Sequence, residues 1–425
     1  MNEPQDIDWS KRLTLVTLAA GLSACGGGAG GGASGSSSGG TTPTPAPTPT
    51  PTPTPVTLTP VKTVVAGNNL TLALKTSGST YVWGENLYGQ TGNGNLTTPQ
   101  SSPLALAGTA TWKSVATGGF HTLGIKSDGS LWAWGLDDKG QLGNNTSGSI
   151  SPGQPKIFST PQAIGTAKDW QVVSAGDGHS VGIKGTTAPV LMSWGQNTLG
   201  QLGLGTTNPV SVPTQIVIAV GAGRVWSSLA CSASYSLALR SDGVVFAWGD
   251  NNNGQLGQLG GASQLSTPTA ITLLPVQALS IAAGTSHAAS IAQDNTLWMW
   301  GSNTSGQLGK GPSGTLTVYP FPAQMGTDMW VAVACGGAHT LAVRLADQTL
   351  WAWGSNSDGQ LGDGTTTDSI SPKQIGTSRW VGVAAGKSHS VAIDTNGGLW
   401  AWGRNTEGQL GNGSTTSLLV PTQIP

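Results

Sequence analysis

Charge is what this chain has least of. Only 9% of its 425 residues are Asp, Glu, Lys or Arg, and the formal net charge is −1; an average soluble domain carries roughly 25% charged residues. A nucleic-acid partner, which needs many Lys and Arg against phosphates, is excluded on that ground. Glu, Lys and Arg are also strong helix formers, so their scarcity favours an all-β fold. Cysteine is reduced to Cys25, Cys231 and Cys335. No Cys-x-x-Cys, His-Glu-x-x-His or phosphate-loop motif occurs, and the Gly-x-Ser-x-Gly spelling at residues 35–39 is part of the Gly/Ser-rich run rather than a nucleophile elbow, so no catalytic residue, metal site or cofactor is expected. The apolar run at residues 13–20 is too short to span a bilayer.

Glycine and tryptophan are abundant instead, at 65 and 17 residues, and both are periodic. A Trp-Gly pair recurs at Trp83, Trp134, Trp194, Trp248, Trp300, Trp353 and Trp402, at spacings of 51, 60, 54, 52, 53 and 49 residues. Six residues after each Trp comes Gly-Gln-Leu-Gly, written Gly-Gln-Thr-Gly at residues 89–92. Then follow Pro-x-x-aliphatic, Trp-x-x-Val-Ala-x-Gly and His-x-x-x-aliphatic segments, and a turn such as Asp128-Gly129 or Asn396-Gly397. Each copy therefore holds four short apolar runs separated by turn chemistry, and Asp-Gly between alternating runs signals a hairpin. Seven four-stranded antiparallel units predict a closed seven-bladed β-propeller over residues 56–425. The ends agree: residues 61–67 match the Val-Ala-x-Gly segment, and residues 421–424 match the Pro-x-x-aliphatic element that precedes it elsewhere. Closure would remove two exposed sheet edges.

Sixteen of the tryptophans fall in three repeat columns, Trp9 being the exception, which predicts core packing between blades. All five histidines, His121, His179, His287, His339 and His389, share one column, with Leu70 and Tyr235 in the other two copies. A metal or acid–base site gathers different residue types at one point, so this column is expected to be structural, each His bonding within its own blade. The Asn column, as at Asn251, Asn303 and Asn356, is expected to bond local backbone. Cys231 and Cys335 share a column two blades apart, so they are expected buried and unbridged.

The combination Trp-Gly-x-Asn-x-x-Gly-Gln-Leu-Gly with a preceding Gly-x-x-His resembles the regulator of chromosome condensation repeat family, over residues 61–425. The resemblance implies a seven-bladed propeller. Functions in that family diverge, from guanine-nucleotide exchange on chromatin to a bacterial inhibitor of β-lactamases, and the matched columns are structural. At the N-terminus, Lys11, Arg12, the short apolar run and Leu22-Ser23-Ala24-Cys25 resemble a bacterial lipoprotein signal, although Glu3, Asp6 and Asp8 make the first segment acidic. That resemblance implies a signal peptide over residues 1–24 and lipidation of Cys25. Residues 25–55, Gly/Ser-rich and then a Thr-Pro repeat, read as a disordered linker. Export to the cell envelope is expected, at the outer membrane or cell surface, with membrane contact only through the anchor.

The expected function is a non-enzymatic, surface-anchored scaffold for a protein partner, in a monomeric chain. Exchange-factor-like regulation of a small GTPase and binding of a glycan or envelope component are the alternatives. Loops carry function on rigid scaffolds, and two Gly-Gln-Leu-Gly-to-Pro loops are long: 17 residues at 144–160 and 12 at 310–321, against nine or ten elsewhere. Their Ile150, Ile157, Phe158, Tyr319 and Phe321 are the candidate partner-binding residues.

Overall fold

The computed structural model describes residues 60–425 except 98, 107–110, 146–154, 220, 222, 259 and 312–315. Cys25, Ile150, the signal peptide and the linker lie outside the described residues. Among the described residues the regular structure is entirely β, in antiparallel pairs.

One unit shows how sequence makes the sheet. Trp112–Thr117, His121–Lys126, Leu131–Leu136 and Ile157–Ala163 pair in chain order. The hairpin between the middle strands closes at Asp128-Gly129: Asp128 Oδ1 accepts from the amide and hydroxyl of Ser130 at 3.0 and 2.6 Å, and Gly129 takes φ 82. At the far end of Leu131–Leu136, Gly135 takes φ 104, and a β-carbon there would lie 2.8 Å from His121 Cα. The Trp-Gly pair is therefore a strand end at which only glycine fits.

Four such four-stranded sheets run from Val61–Ala66 to Gln264–Ala270. The remainder, Ala278–Ala283 to Leu418–Gln423, is a ten-stranded sheet, where four-stranded units are expected. Its cause is link length. Between the Pro-x-x-aliphatic element and the next Trp, or Ala278 in its column, lie five, five, nine and six residues in the earlier copies, at 107–111, 165–169, 217–225 and 272–277, but only four at 326–329 and 376–379. The short links are bulges, not breaks: Gly326 and Gly376 take φ 62 and 61, and pairing resumes at once, Ile375 opposing Leu350 and Arg379 opposing Thr349, so Val318–Cys335 and Ser369–Ala385 are single strands of 18 and 17 residues. Each pairs with one neighbour through its first part and another through its second.

The core lies between successive sheets. Trp134 packs with Val65, Leu70 and Leu72 of the preceding sheet, and Trp83 of the first copy packs with Val391, Ile393 and Leu410 of the last. All seven Trp-Gly indoles are fully buried, each removing about 150–250 Å² from water, or ~4–6 kcal/mol before entropy is subtracted. The other two Trp columns flank them, as Trp330 lies 6.3 Å from Trp351 and 6.0 Å from Trp353. Cys231 and Cys335 are buried and free, as expected.

Every Gly-Gln-Leu-Gly motif ends on a glycine set against the next indole. At Gly362, φ is 78 and a β-carbon would stand 2.6 Å from Trp402 Nε1. Gly165 also has positive φ, 65, but nothing within 4 Å. Gly362→Ala should therefore cost about 2 kcal/mol or more in urea denaturation, and Gly165→Ala about 1 kcal/mol. Equal losses would refute the packing role.

Candidate functional site

The strand directions define two ends. One carries the Gly-x-x-His turns near the axis and the Trp-Gly-to-Pro loops outside them; the other carries the Asp-Gly hairpins and the links between copies. The first end is built on a repeated bond system. The main-chain carbonyl of each Gln in Gly-Gln-Leu-Gly accepts the indole Nε1–H of the next copy: Gln90 from Trp134, Gln141 from Trp194, Gln201 from Trp248, Gln255 from Trp300, Gln307 from Trp353, Gln360 from Trp402, all at 2.8–3.0 Å. Gln409 accepts from Trp83 at 2.9 Å. The same carbonyl accepts a hydroxyl from Thr122, Ser180, Ser236, Thr340, Ser390 or Thr71.

The histidines join this system across copies rather than within their own, which corrects the sequence expectation. Nε2 of His121, His179, His287, His339 and His389 lies 2.8–3.0 Å from the hydroxyls of Ser180, Ser236, Thr340, Ser390 and Thr71. Because each hydroxyl gives its proton to a Gln carbonyl, Nε2 must be the protonated nitrogen. Where Tyr235 replaces His, its hydroxyl donates to His287 O at 2.7 Å, and the next sheet carries Ala288 in place of the Ser or Thr. A His–Ser pair at this distance superficially matches an activated nucleophile. Here the imidazoles are fully buried, and burial pushes them down to about 4 for His121 and about 3 for the other four. The hydroxyl proton is already committed to a carbonyl. These pairs are fasteners, not bases.

The Asn column does bond local backbone, Oδ1 accepting the amide five residues on: Asn197 from Leu202, Asn356 from Leu361, Asn405 from Leu410. Asp137, also buried, does the same for Leu142.

Two features break the repetition at this end. The first is in the Gly-x-x-His turns, where Asn68, Gly119, Asp177, Ala233, Thr285, Gly337 and Lys387 occupy one column. Backbone bonds tie neighbours there: Gly119 N to Gly176 O, Gly337 N to Lys387 O, and Lys387 N to Asn68 O, at 3.1–3.2 Å. Asn68 Nδ2 reaches over Gly119 to Asp177 Oδ1 at 3.4 Å. Burial pushes the Asp177 carboxyl up to about 7, against the pull of Asn68 and Lys387.

The second is the rim. The position two residues before the conserved Pro is Ser101, Ser159, Ser211 and Ser266 in the first four copies, then Pro320, Ile370 and Leu419. Each lies against the preceding copy's loop, since β-carbons on Gly254 and Gly306 would stand 2.6 Å from Pro320 Cα and Ile370 Cα. Phe321, Ile370, Leu419 and Val420 are 41, 49, 37 and 50% exposed. Three consecutive copies thus carry apolar side chains where the others carry serine.

Of the sequence candidates, Ile157 and Phe158 begin the strand Ile157–Ala163. Phe158 rests against the cluster holding Trp170 and Trp194, with Lys156 Nζ 6.0 Å from its ring. Tyr319 takes the equivalent register, opposite Gly301 as Phe158 is opposite Gly135, and rests against the cluster of Trp330 and Trp353. The structure does not bring these two together, since they sit on separate sheets. Phe321 is exposed, and Ile157, Phe158 and Tyr319 are half-buried. Ile370, Leu419, Val420 and Asp177 were not singled out, although aligning the seven copies displays the change from Ser to apolar.

The buried groups set opposite pH trends. The unfolded chain binds protons at its histidines as pH falls below about 6.5, whereas the fold holds them neutral down to about 4 or 3. Stability should therefore fall between those limits. Asp177 runs the other way: its folded value lies above the ordinary 3.8, so its contribution is present at low pH and lost as pH rises through about 7. Asp177→Asn should raise the melting temperature more at about pH 8 than at about pH 5. A uniform shift would refute the assignment.

Residues 218–425 match the RCC1-like domain family, and residues 61–90, 77–125, 112–141, 128–183 and 191–239 match the regulator of chromosome condensation (RCC1) repeat. The ultraviolet-B receptor UVR8 of Arabidopsis thaliana is 30% identical over 311 residues, covering 72% of this chain and 67% of that protein. The E3 ubiquitin-protein ligase HERC2 of Homo sapiens is 29% identical over 306 residues, which is 71% of this chain but 6% of the ligase. Among solved structures, yeast RCC1 (Prp20) bound to Kap60 superposes with a TM-score of 0.70 at 23% identity over 85% of each chain. Human WBSCR16 superposes at 0.68 and 22% identity, over 78% of this chain and 86% of that one. With these matches and its all-β sheets, the chain belongs to the RCC1 repeat family and has that family's β-propeller fold.

Proposed function

We propose that this chain is a non-catalytic scaffold whose loop-bearing end binds a protein partner. The observation that carries the reading is the apolar rim. Pro320, Phe321, Ile370, Leu419 and Val420 lie on three consecutive copies, at positions where the other copies carry mostly serine or threonine. Exposed apolar groups clustered beside a polar surface mark interaction sites. The sequence candidates Ile150, Ile157, Phe158 and Tyr319 would extend this face, Phe321 being common to both sets. The platform is a ring of seven four-stranded units. The Trp83–Gln409 and Thr71–His389 bonds support closure, because they join last copy to first through the groups that join neighbours elsewhere.

The relatives agree with a binding role. Yeast RCC1 is found with Kap60, and Prp20p has binding properties to Gsp1p and histones. Exchange-factor-like regulation of a GTPase is the second reading, resting on that likeness. Cys25, as a lipid-bearing residue, would place the scaffold at the cell envelope, and Cys25→Ala should then move it from the membrane fraction to the soluble one.

The rim is tested by Phe321→Ser, Leu419→Ser and Val420→Ser combined, in pull-downs from envelope extract. Partner recovery should fall at least about tenfold, as for loss of interface anchors, while the melting temperature stays near that of the parent. Replacing residues 144–160 or 310–321 by a nine-residue loop should weaken recovery as well. Full recovery with every variant would remove this face from consideration.

A further inference from the structure

The opposite end of the propeller is charged unevenly. In the first three copies it carries Lys62, Lys75, Lys113, Lys126, Lys168 and Lys184 against Asp128 and Asp169, six cations to two anions. In the other copies it carries Arg224, Arg240, Arg344 and Arg379 against Asp242, Asp294, Asp328, Asp347 and Asp394, four to five. The two groups of cations are used differently. Arg240 and Arg224 both close on Asp242, at 2.8 and 3.0 Å, and Arg344 closes on Asp347. Among the lysines Lys168 bridges Asp128 at 3.1 Å. Lys113 donates to the neutral Gln171 at 3.0 Å, and the Lys126 and Lys75 ammoniums lie over the rings of Trp132 and Tyr81 at 3.2 and 5.8 Å. Three adjacent copies therefore carry an excess of four positive charges at one end.

The residue type narrows the partner. Arginine and aromatic anchors mark protein interfaces, whose cores are depleted of lysine. Every cation in this sector is lysine, a compact, hydrated point charge that makes no bidentate fork. At this end of the three copies the described large apolar side chain that is exposed is Val217, in the link that leaves the third copy, so the sector sets six lysines beside one aliphatic side chain and no exposed aromatic anchor. That combination fits a broad layer of phosphate charge, where each lysine adds independently and none needs a pocket. We propose that the lysine-bearing sector of this end docks the propeller on an anionic phospholipid surface. The docking is electrostatic, and it uses the end opposite the apolar rim, so it does not depend on the partner proposed there.

The test is co-sedimentation of the full chain with vesicles of phosphatidylcholine alone and of phosphatidylcholine mixed with phosphatidylglycerol. The ratio of the two is read, because a lipid tether would enter both alike. The parent should prefer the anionic vesicles and lose that preference at high salt. Lys75→Gln, Lys113→Gln and Lys168→Gln combined should weaken anionic binding about a hundredfold, roughly fivefold per lysine, while Lys→Arg at the same positions and Arg344→Gln leave it unchanged. Equal partition of the parent between the two vesicles would overturn the proposal, as would an unchanged ratio in the triple Gln variant. Tighter binding to polyglutamate than to the anionic vesicles would overturn the lipid assignment.

Discussion

The fold depends on one main-chain carbonyl per copy. The Gln carbonyl of Gly-Gln-Leu-Gly takes an indole N–H from the next copy at all seven sites, and in six of them a hydroxyl as well. A carbonyl has two lone pairs, and here both are filled out of reach of water, where each bond is worth more and its loss costs more. The rest of the motif serves that contact. The Gln side chain folds back onto the amide two residues earlier, as Gln141 does on Lys139. The Asn of the turn holds the amide of the following Leu. The last glycine leaves room for the indole. Polar groups so placed specify how one sheet meets the next, a task that the apolar filling beneath them cannot do alone.

This arrangement explains why the conspicuous chemistry is inert. Five imidazoles within hydrogen-bond distance of five hydroxyls would be a catalytic pattern in a cleft. In this fold each hydroxyl already donates, no carboxylate orients the ring, and burial holds the imidazole neutral. The residues that repeat are consumed by joining sheets. Among the described residues, what distinguishes one copy from another concentrates at the Gly-x-x-His turns, at the rim and in the charge of the two ends.

That division also sets how much was legible in the sequence. Repeats that fasten sheets must recur, so Trp, Gly, Gln, Asn and His columns declared themselves by period alone, and the core, the hairpins and the free cysteines followed. The partner of each His did not, because contact with the next copy's Ser or Thr is a matter of how sheets stack, about fifty residues away along the chain. The ten-stranded sheet escaped notice for a different reason: strand breaks are inferred from turn residues, and in the four-residue link 376–379 Gly376 makes a bulge rather than a break, pairing resuming with Thr349 opposite Arg379. Long loops drew attention to Phe158 and Tyr319. Their equivalent position against Trp-Gly glycines makes them edge-strand packing instead of free loop side chains.

Three of the five rim residues lie on the two long strands, while Leu419 and Val420 lie on the six-residue strand Leu418–Gln423. Pro320 and Phe321 lie on Val318–Cys335, and Ile370 on Ser369–Ala385. Each of these strands is paired on one side in its first half and built into the following unit in its second. A side chain so mounted has little freedom to lose when a partner covers it, and ordering loose groups is a large part of what weakens association. The loops that vary most in length are the poorer places for anchors on this argument. For Pro320, Phe321 and Ile370, the short links and the apolar substitutions would thus act together, holding hydrophobic side chains on paired backbone for the proposed partner.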